Sequence, residues 1–242
     1  MSFLGRLIME RTKTPKEIDR EVMLEDWVSR QLKSIPQGRK LIDVGAGEQK
    51  YKKHCLHLDY VSQDFCQYEG AGNGEALQTG EWDTSKIDLV SDITEIPAED
   101  CSFDAVLCTE VLEHVPDPIR AIEEMSRILK PGGIMMITAP FMSETHFAPY
   151  HFCTGFDKYF FSHHLERLGY KDIVIEPYGN VYTKLINSID ISLGSEMGAF
   201  DKLICLGAKH SLFKYALDNR LNKEIACYGY NVRAVKGINK NR

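Results

Sequence analysis

The strongest constraint on how this chain can fold is a series of short apolar runs alternating with helical patterns. Runs at 40–44, 60–63, 88–90, 103–108 and 134–139 have strand length, and four of them reach a carboxylate or hydroxyl at or just past their ends, at Asp43, Asp64, Asp92 and Thr109. Helical periodicity marks 15–35, 118–129 and 158–168; in the first, Ile18, Val22, Leu24, Trp27, Val28 and Leu32 lie near one stripe. A further strand is expected at 173–176, a helical stretch at 183–221, and a closing strand at 225–237. Strands alternating with helices imply a mostly parallel sheet with helices on both faces. In such a sheet, ligands sit beyond the carboxyl ends of the strands, where strand order reverses. The acids therefore mark where function should be sought.

The first strand runs into a glycine loop, "LIDVGAGEQKYKKH". Gly45 and Gly47 suit a tight turn whose backbone amides approach a ligand closely. A dinucleotide loop wants G-x-G-x-x-G, with the third glycine letting a helix pack on the strand, but that position is Lys50. The G-K-[ST] ending of a phosphate loop is also missing. Asp64 stands after strand two, where a carboxylate can accept from two ribose hydroxyls. Asp92 and Ile93 follow strand three, placed to accept from an exocyclic amine and to lie against an adenine ring. "KPGG" before the fifth strand reads as a turn.

The totals set outer limits. At 242 residues and 43% hydrophobic, the chain can build one sizeable core. We expect 1–36 to be an N-terminal helical extension packing on a domain at 37–242. A net charge of -6 disfavours nucleic acid as a partner, because phosphate-backbone affinity rests on clustered Lys and Arg. The seven cysteines are scattered without a C-x-x-C pair, which suits reduced thiols and a cytoplasmic setting. No metal ligand set is expected. "MSFLGRLIMERTK" has too few consecutive apolar residues for a signal segment, and nothing approaches the roughly 18 needed for a transmembrane span. The end "KGINKNR" reads as a frayed tail. Oligomeric state stays open.

The middle of the chain supplies two longer blocks, "FDAVLCTEVLEHVPDP" and "EEMSRILKPGGIMMITAP". With the glycine loop, these resemble the class I S-adenosylmethionine-dependent methyltransferases of the small-molecule, type 11-like kind, which carry FDxV, LEHV and RxLKPGG blocks. "CTEVLEHVPDP" is similar to the corresponding stretch of ubiquinone-pathway O-methyltransferases. The resemblance is strong over 41–140. It implies an α/β fold: a Rossmann-like, mostly parallel seven-stranded sheet with helices on both faces and an antiparallel last strand. It implies S-adenosylmethionine as cofactor. By that resemblance Asp43 holds the methionine amino group, Gly45, Ala46 and Gly47 pass under methionine and ribose, and Asp64, with Phe65 beside it, takes the ribose. Asp92 and Ile93 take the adenine, and the backbone at Thr109 lies beside the methionine end. The family's third loop glycine is Gln49 here, and the short spacing from Gly47 to Asp64 implies a truncated first helix, with "YKKHC" covering the cofactor edge. Glu113 and His114 read as packing and hydrogen-bonding residues.

Methyl transfer from a sulfonium needs alignment and exclusion of water, and an alcohol acceptor must also lose a proton. The segment "PFMSETHFAPYHFCTGFDKYFFSHHL" holds four of the eight histidines beside the carboxyl edge. His146 or His151 is the candidate general base, with Phe147 and Tyr150 shaping the pocket. The alternative is a satellite aromatic core whose histidines satisfy loop carbonyls. His163 and His164 read as surface or packing residues. The insert "CQYEGAGNGEALQTGEWDTSKID" is either a flexible loop or a lid carrying Tyr68 and Trp82, helped by Trp27. These features lead to methyl transfer to an oxygen, less favourably a nitrogen, of a small molecule or sugar-bearing metabolite. A catalytically inactive S-adenosylmethionine-binding regulator and an NAD-dependent oxidoreductase stand as alternatives.

Overall fold

The structure is a computed structural model, and it describes residues 13–193, 197–218 and 226–238. The opening segment, the last residues of the stretch 183–221, the start of the closing strand and the final tail lie outside the described residues. Seven strands form one sheet: β1 (Lys40–Val44), β2 (Asp59–Asp64), β3 (Leu89–Val90), β4 (Phe103–Thr109), β5 (Leu129–Pro140), β6 (Tyr170–Tyr178) and β7 (Gly229–Lys236). Their order is β3-β2-β1-β4-β5-β7-β6. β1 pairs in parallel with β2 and β4, β2 with β3, and β4 with β5, whereas β7 runs antiparallel to β5. Strand order reverses between β1 and β4, so their carboxyl ends flank the switch point. The alternation of runs predicts the mostly parallel sheet, and the resemblance implies its Rossmann-like, seven-stranded form with an antiparallel last strand; both are present.

The described residues divide into two compact units, one within Asp26–Glu176 and Gly229–Arg242, the other within Met1–Glu25 and Pro177–Tyr228. In the first, Leu41 and Ile42, and likewise Val106 and Leu107, are neighbours on opposite faces of the sheet, and all four are inaccessible. Both faces are therefore covered, as a parallel sheet requires. One face packs Leu41, Ala105, Leu107 and Met136 against Trp27, Val28 and Leu32 from α1 (Arg20–Lys33). Truncating a side chain such as Leu107 there costs on the order of 2–5 kcal/mol. The helix starts later than its periodicity suggests, because a separate 3-10 turn at Lys16–Ile18 precedes it, and Val22 faces solvent. α2 (Pro118–Ile128) begins on Asp117, whose side chain accepts from Arg120 N, with Pro118 in the first turn.

"KPGG" is not a turn between elements but a loop-out within β5. Phe103 pairs with Leu129 and Ala105 with Ile134, so the ladder resumes after the intervening residues bulge from it. α3 (Lys158–Arg167) starts on Asp157, which accepts from Tyr159 N and Phe160 N. In the second unit, the helical stretch is broken into α4 (Val181–Leu193) and α5 (Ala199–Ala216), which bury Ile186 against Phe213, Ala216 and Ile18. Asn180 caps α4, accepting from Tyr182 N and Thr183 N and donating to Ala216 O. Among the described residues, no helix is long and apolar enough to cross a membrane, and no disulfide forms.

Candidate functional site

The carboxyl ends of β1, β2, β3 and β4 bring Asp43, Asp64, Asp92 and Thr109 to one edge. Register does this: Val44 lies beside both Gln63 and Cys108, and Asp64 beside Val90. Asp43 is fully buried. Its Oδ2 accepts from the Tyr60 hydroxyl at 2.8 Å, while Oδ1 is buried with no partner. Tyr60 pairs with Leu41, two residues before Asp43, so the two side chains share a face. Burial raises the Asp43 carboxyl to about 7; the Tyr60 hydrogen bond opposes this and the charge of Asp64 adds to it.

The glycine loop is shaped as its residues suggest. Gly45 and Gly47 have φ of 70° and 50°. A Cβ on Gly45 would run into Val111, and one on Gly47 would lie 2.5 Å from Trp82 Cζ2. Gly47 N donates to Asp64 Oδ2 at 2.9 Å and Cys66 N to Oδ1 at 2.9 Å. Each carboxylate oxygen keeps lone-pair capacity beyond these bonds. Gln49, in the place of the third glycine, still takes the left-handed φ of 58°. Its side chain holds that conformation, donating to Ser62 Oγ at 2.8 Å and Lys86 O at 2.6 Å. After β1 the helix is indeed cut to a 3-10 turn at Lys52–His54. Tyr51 and Cys55, however, do not cover a cofactor edge; they are buried against Trp27 and Leu41 because the shortened segment lies on the α1 side.

Further out, Asp92 is exposed and caps its own turn through Thr94 N and Oγ1, and Ile93 beside it is buried. Ser91 N donates to Asp64 O, tying this corner to β2. Thr109 closes β4 opposite Thr138. Phe65 meets Tyr150 edge-on with ring centroids 5.0 Å apart.

The insert folds over the glycine loop. Trp82 lies on Gly47, Asp83 N donates to Glu48 Oε1, and Tyr68 is buried and stacked on Phe147 at 4.6 Å. Trp27 takes no part; it belongs to the sheet core, and its indole N–H donates to Glu176 Oε2. A helix facing the sheet cannot also present its core side chain to the strand ends.

Beyond the loop, His114, His146 and His151 converge, one ring nitrogen of each lying within 4.8 Å of the others. His114 sits on the 3-10 turn Leu112–His114, directly after β4. Its Nδ1–H donates to Tyr150 O, and the His146 Nδ1–H donates to Glu144 O at 2.8 Å. Both ring nitrogens of His151 are buried without a partner. Burial lowers the His114 imidazole to about 3, and His146 and His151 push the same way against the Tyr150 hydrogen bond. Burial, then His146, also lowers His151. Burial thus favours the neutral form of His114 and of His151. His114 packs on Phe147 and hydrogen-bonds Tyr150 O, as its reading as a packing and hydrogen-bonding residue expects, and only its place in this group was missed; the other two histidines lie more than thirty positions away, and no local pattern announces them. His163 is exposed and His164 contacts Phe160, both on α3 and apart from the cluster.

Comparison with known proteins follows the same geography. A family model described as a methyltransferase domain matches residues 42–137. The ubiquinone biosynthesis O-methyltransferase of Vibrio cholerae is 30% identical over 107 residues, 40% of this chain and 40% of that protein. The protein of that name from Xanthomonas oryzae pv. oryzae is 48% identical over 50 residues, 20% of this chain and 21% of its own. The chain thus aligns with less than half the length of these curated relatives. Among solved structures, an S-adenosylmethionine-dependent methyltransferase from Archaeoglobus fulgidus superposes with a TM-score of 0.52 at 15% identity, covering 90% of this chain and all of that one. The [4+2]-cyclase SpnF superposes at 0.53 and 18% identity, covering 88% and 81%. The fold is shared, and it hosts more than one chemistry.

Proposed function

We propose that this chain transfers a methyl group from S-adenosylmethionine to an oxygen of a small molecule or sugar-bearing metabolite, a reading supported by the match of residues 42–137 to a methyltransferase domain and by the partial likeness to ubiquinone biosynthesis O-methyltransferases. The observation that carries this reading is the buried Asp43 with its unpartnered Oδ1 beside the glycine loop. A carboxylate in that position favours the cationic amino group of the cofactor's methionine end. It disfavours the anionic pyrophosphate of NAD, which counts against an oxidoreductase. Gly45, Ala46 and Gly47 form the floor under methionine and ribose, and Asp64 accepts from the ribose hydroxyls with its remaining lone pairs. Asp92 and Ile93 hold the adenine, Phe65 borders the ribose, and the Thr109 backbone lies beside the methionine end.

When bound, S-adenosylmethionine supplies an already activated methyl group. The chain's own task is alignment, exclusion of water and removal of the acceptor's proton. Trp82 and Tyr68 serve the second task as a cover, and the imidazole of His146 or of His151 serves the third. The seven scattered cysteines, without a C-x-x-C pair, support a reducing, cytoplasmic setting. Calorimetry with S-adenosylmethionine, its demethylated product and NAD tests the cofactor; binding of NAD alone would sink the proposal. A methyl-transfer screen over hydroxylated acceptors tests the reaction, and a chain that binds cofactor yet transfers to none of them fits a regulator. His146→Ala and His151→Ala, assayed at saturating cofactor, test the base; near-normal rates in both remove that role.

A further inference from the structure

We propose that His114, His146 and His151 form a three-histidine site for a divalent transition metal of the zinc class, next to the methyl-transfer site. Each histidine is held by a clamped backbone. Phe152 N and Cys153 N both donate to Glu113 O, fastening the His151 segment to the turn that carries His114. Leu77 N donates to Thr145 O and Phe147 N to Leu77 O, fastening His146 to the insert. Phe147 stacks on the His114 ring at 4.9 Å and meets Trp82 at 5.4 Å, so the cluster is continuous with the cover of Gly47.

The hydrogen bonds select the form a metal needs. A carbonyl oxygen can only accept, so Nδ1 of His114 and of His146 carries the proton, and Nε2 of each is the lone-pair nitrogen. A backbone carbonyl on the second ring nitrogen is the usual support of a metal-bound histidine. His114 Nε2 makes no hydrogen bond and has only the buried Glu113 Oε1 beside it, 3.7 Å away, and both nitrogens of His151 are buried without a hydrogen-bond partner; such nitrogens are costly to keep unless something occupies the space between them. Zinc binds imidazole nitrogen at about 2.0–2.1 Å in tetrahedral geometry, which places ligand atoms ~3.4 Å apart. Nitrogens within 4.8 Å of one another reach that by side-chain adjustments on the order of 1 Å. Three neutral nitrogens suit zinc rather than magnesium or calcium, which take oxygen ligands. The fourth position stays open, as in catalytic rather than structural sites.

For the role of the metal, the inference rests on the methyl-transfer reading. An acceptor hydroxyl bound at the open position loses its proton to water. Its oxygen then bonds to the methyl carbon while the carbon–sulfur bond breaks and its electron pair stays on sulfur. His146 and His151 then act as ligands, and their lone pairs no longer serve as bases.

The test uses the full, tag-free chain, stripped with chelator and titrated with Co²⁺ as a coloured stand-in for zinc. One equivalent of Co²⁺ per chain, giving visible d–d absorption that Zn²⁺ abolishes, is expected. His146→Ala and His151→Ala each weaken binding at least ~10-fold, and the α3 control His163→Ala leaves it unchanged. Far-UV circular dichroism checks folding, and His151→Asn, which keeps most of the bulk, replaces any alanine variant that unfolds. Absence of stoichiometric uptake by the wild type, or uptake unaffected by loss of His146 and His151, overturns the site. Calorimetry with S-adenosylmethionine on the same stripped protein separates the two readings. Cofactor binding without Co²⁺ uptake overturns the metal alone, and Co²⁺ uptake without cofactor binding overturns the methyl-transfer reading alone.

Discussion

Replacing Asp43 by asparagine tests the electrostatic basis of the cofactor site. Burial holds this carboxyl at about 7, against an ordinary value of 3.8. Its raised folded-state value means that the folded protein keeps the proton more tightly than the unfolded chain does. The group therefore costs little stability near pH 4, and its cost grows as pH rises to 7, where it is complete. At ~1.4 kcal/mol for each tenfold change in ionisation constant, the cost at pH 8 is ~4 kcal/mol. Asp43→Asn removes this pH dependence. The amide oxygen still accepts from Tyr60, but the amide N–H₂ faces the position of the unpartnered Oδ1 and loses ~1–2 kcal/mol for want of an acceptor. The variant is then more stable than wild type by ~2–3 kcal/mol at pH 8 and slightly less stable at pH 4. Urea unfolding at the two pH values measures the swing, and other titrating groups, His114 among them, cancel in the difference between the two proteins. The same substitution removes the counter-charge for the cofactor's amino group, a charge-assisted bond worth ~1.5–3 kcal/mol, so calorimetric affinity for S-adenosylmethionine falls roughly 10–100-fold. Equal effects on stability at pH 4 and pH 8, or unchanged affinity, would refute the reasoning.

Three further outcomes follow from the geometry. Gln49→Ala keeps the left-handed backbone and loses the bonds to Ser62 and Lys86, costing ~2–3 kcal/mol in urea unfolding, whereas Gln49→Gly relieves the backbone and costs ~1 kcal/mol less. Gly47→Ala adds a Cβ 2.5 Å from Trp82, so it should shift Trp fluorescence and weaken cofactor binding, while Gly74→Ala, whose Cβ meets open space at a φ of the same sign, should change neither. Arg127 donates to both oxygens of buried Glu124 and to Asp100, and Arg127→Ala leaves that carboxylate with only the Ile96 amide. Removing a partner from this half-screened network costs ~2–3 kcal/mol, read as a loss of ~5–10 °C in melting temperature.

The alternation of apolar runs by itself determined the strand sequence, the parallel core and the edge at which Asp43, Asp64, Asp92 and Thr109 gather. That is because strand ends and glycine turns are local: a few residues decide them, and the parallel sheet then carries every strand's end to the same side. The missing third glycine was legible as well, though only the structure shows why Gln49 can stand there, held by Ser62 and Lys86 O from distant parts of the chain. Trp82 on Gly47, Tyr60 on Asp43 and Trp27 in the sheet core were decided by tertiary packing. So was the meeting of His114 with His146 and His151. The Trp82 and histidine contacts join segments whose separation leaves no periodic trace, and they form only when the switch point of the sheet brings the loops after β1, β2, β4 and β5 into one place, whereas Tyr60 reaches Asp43 through strand register and Trp27 reaches the core through the stripe of α1.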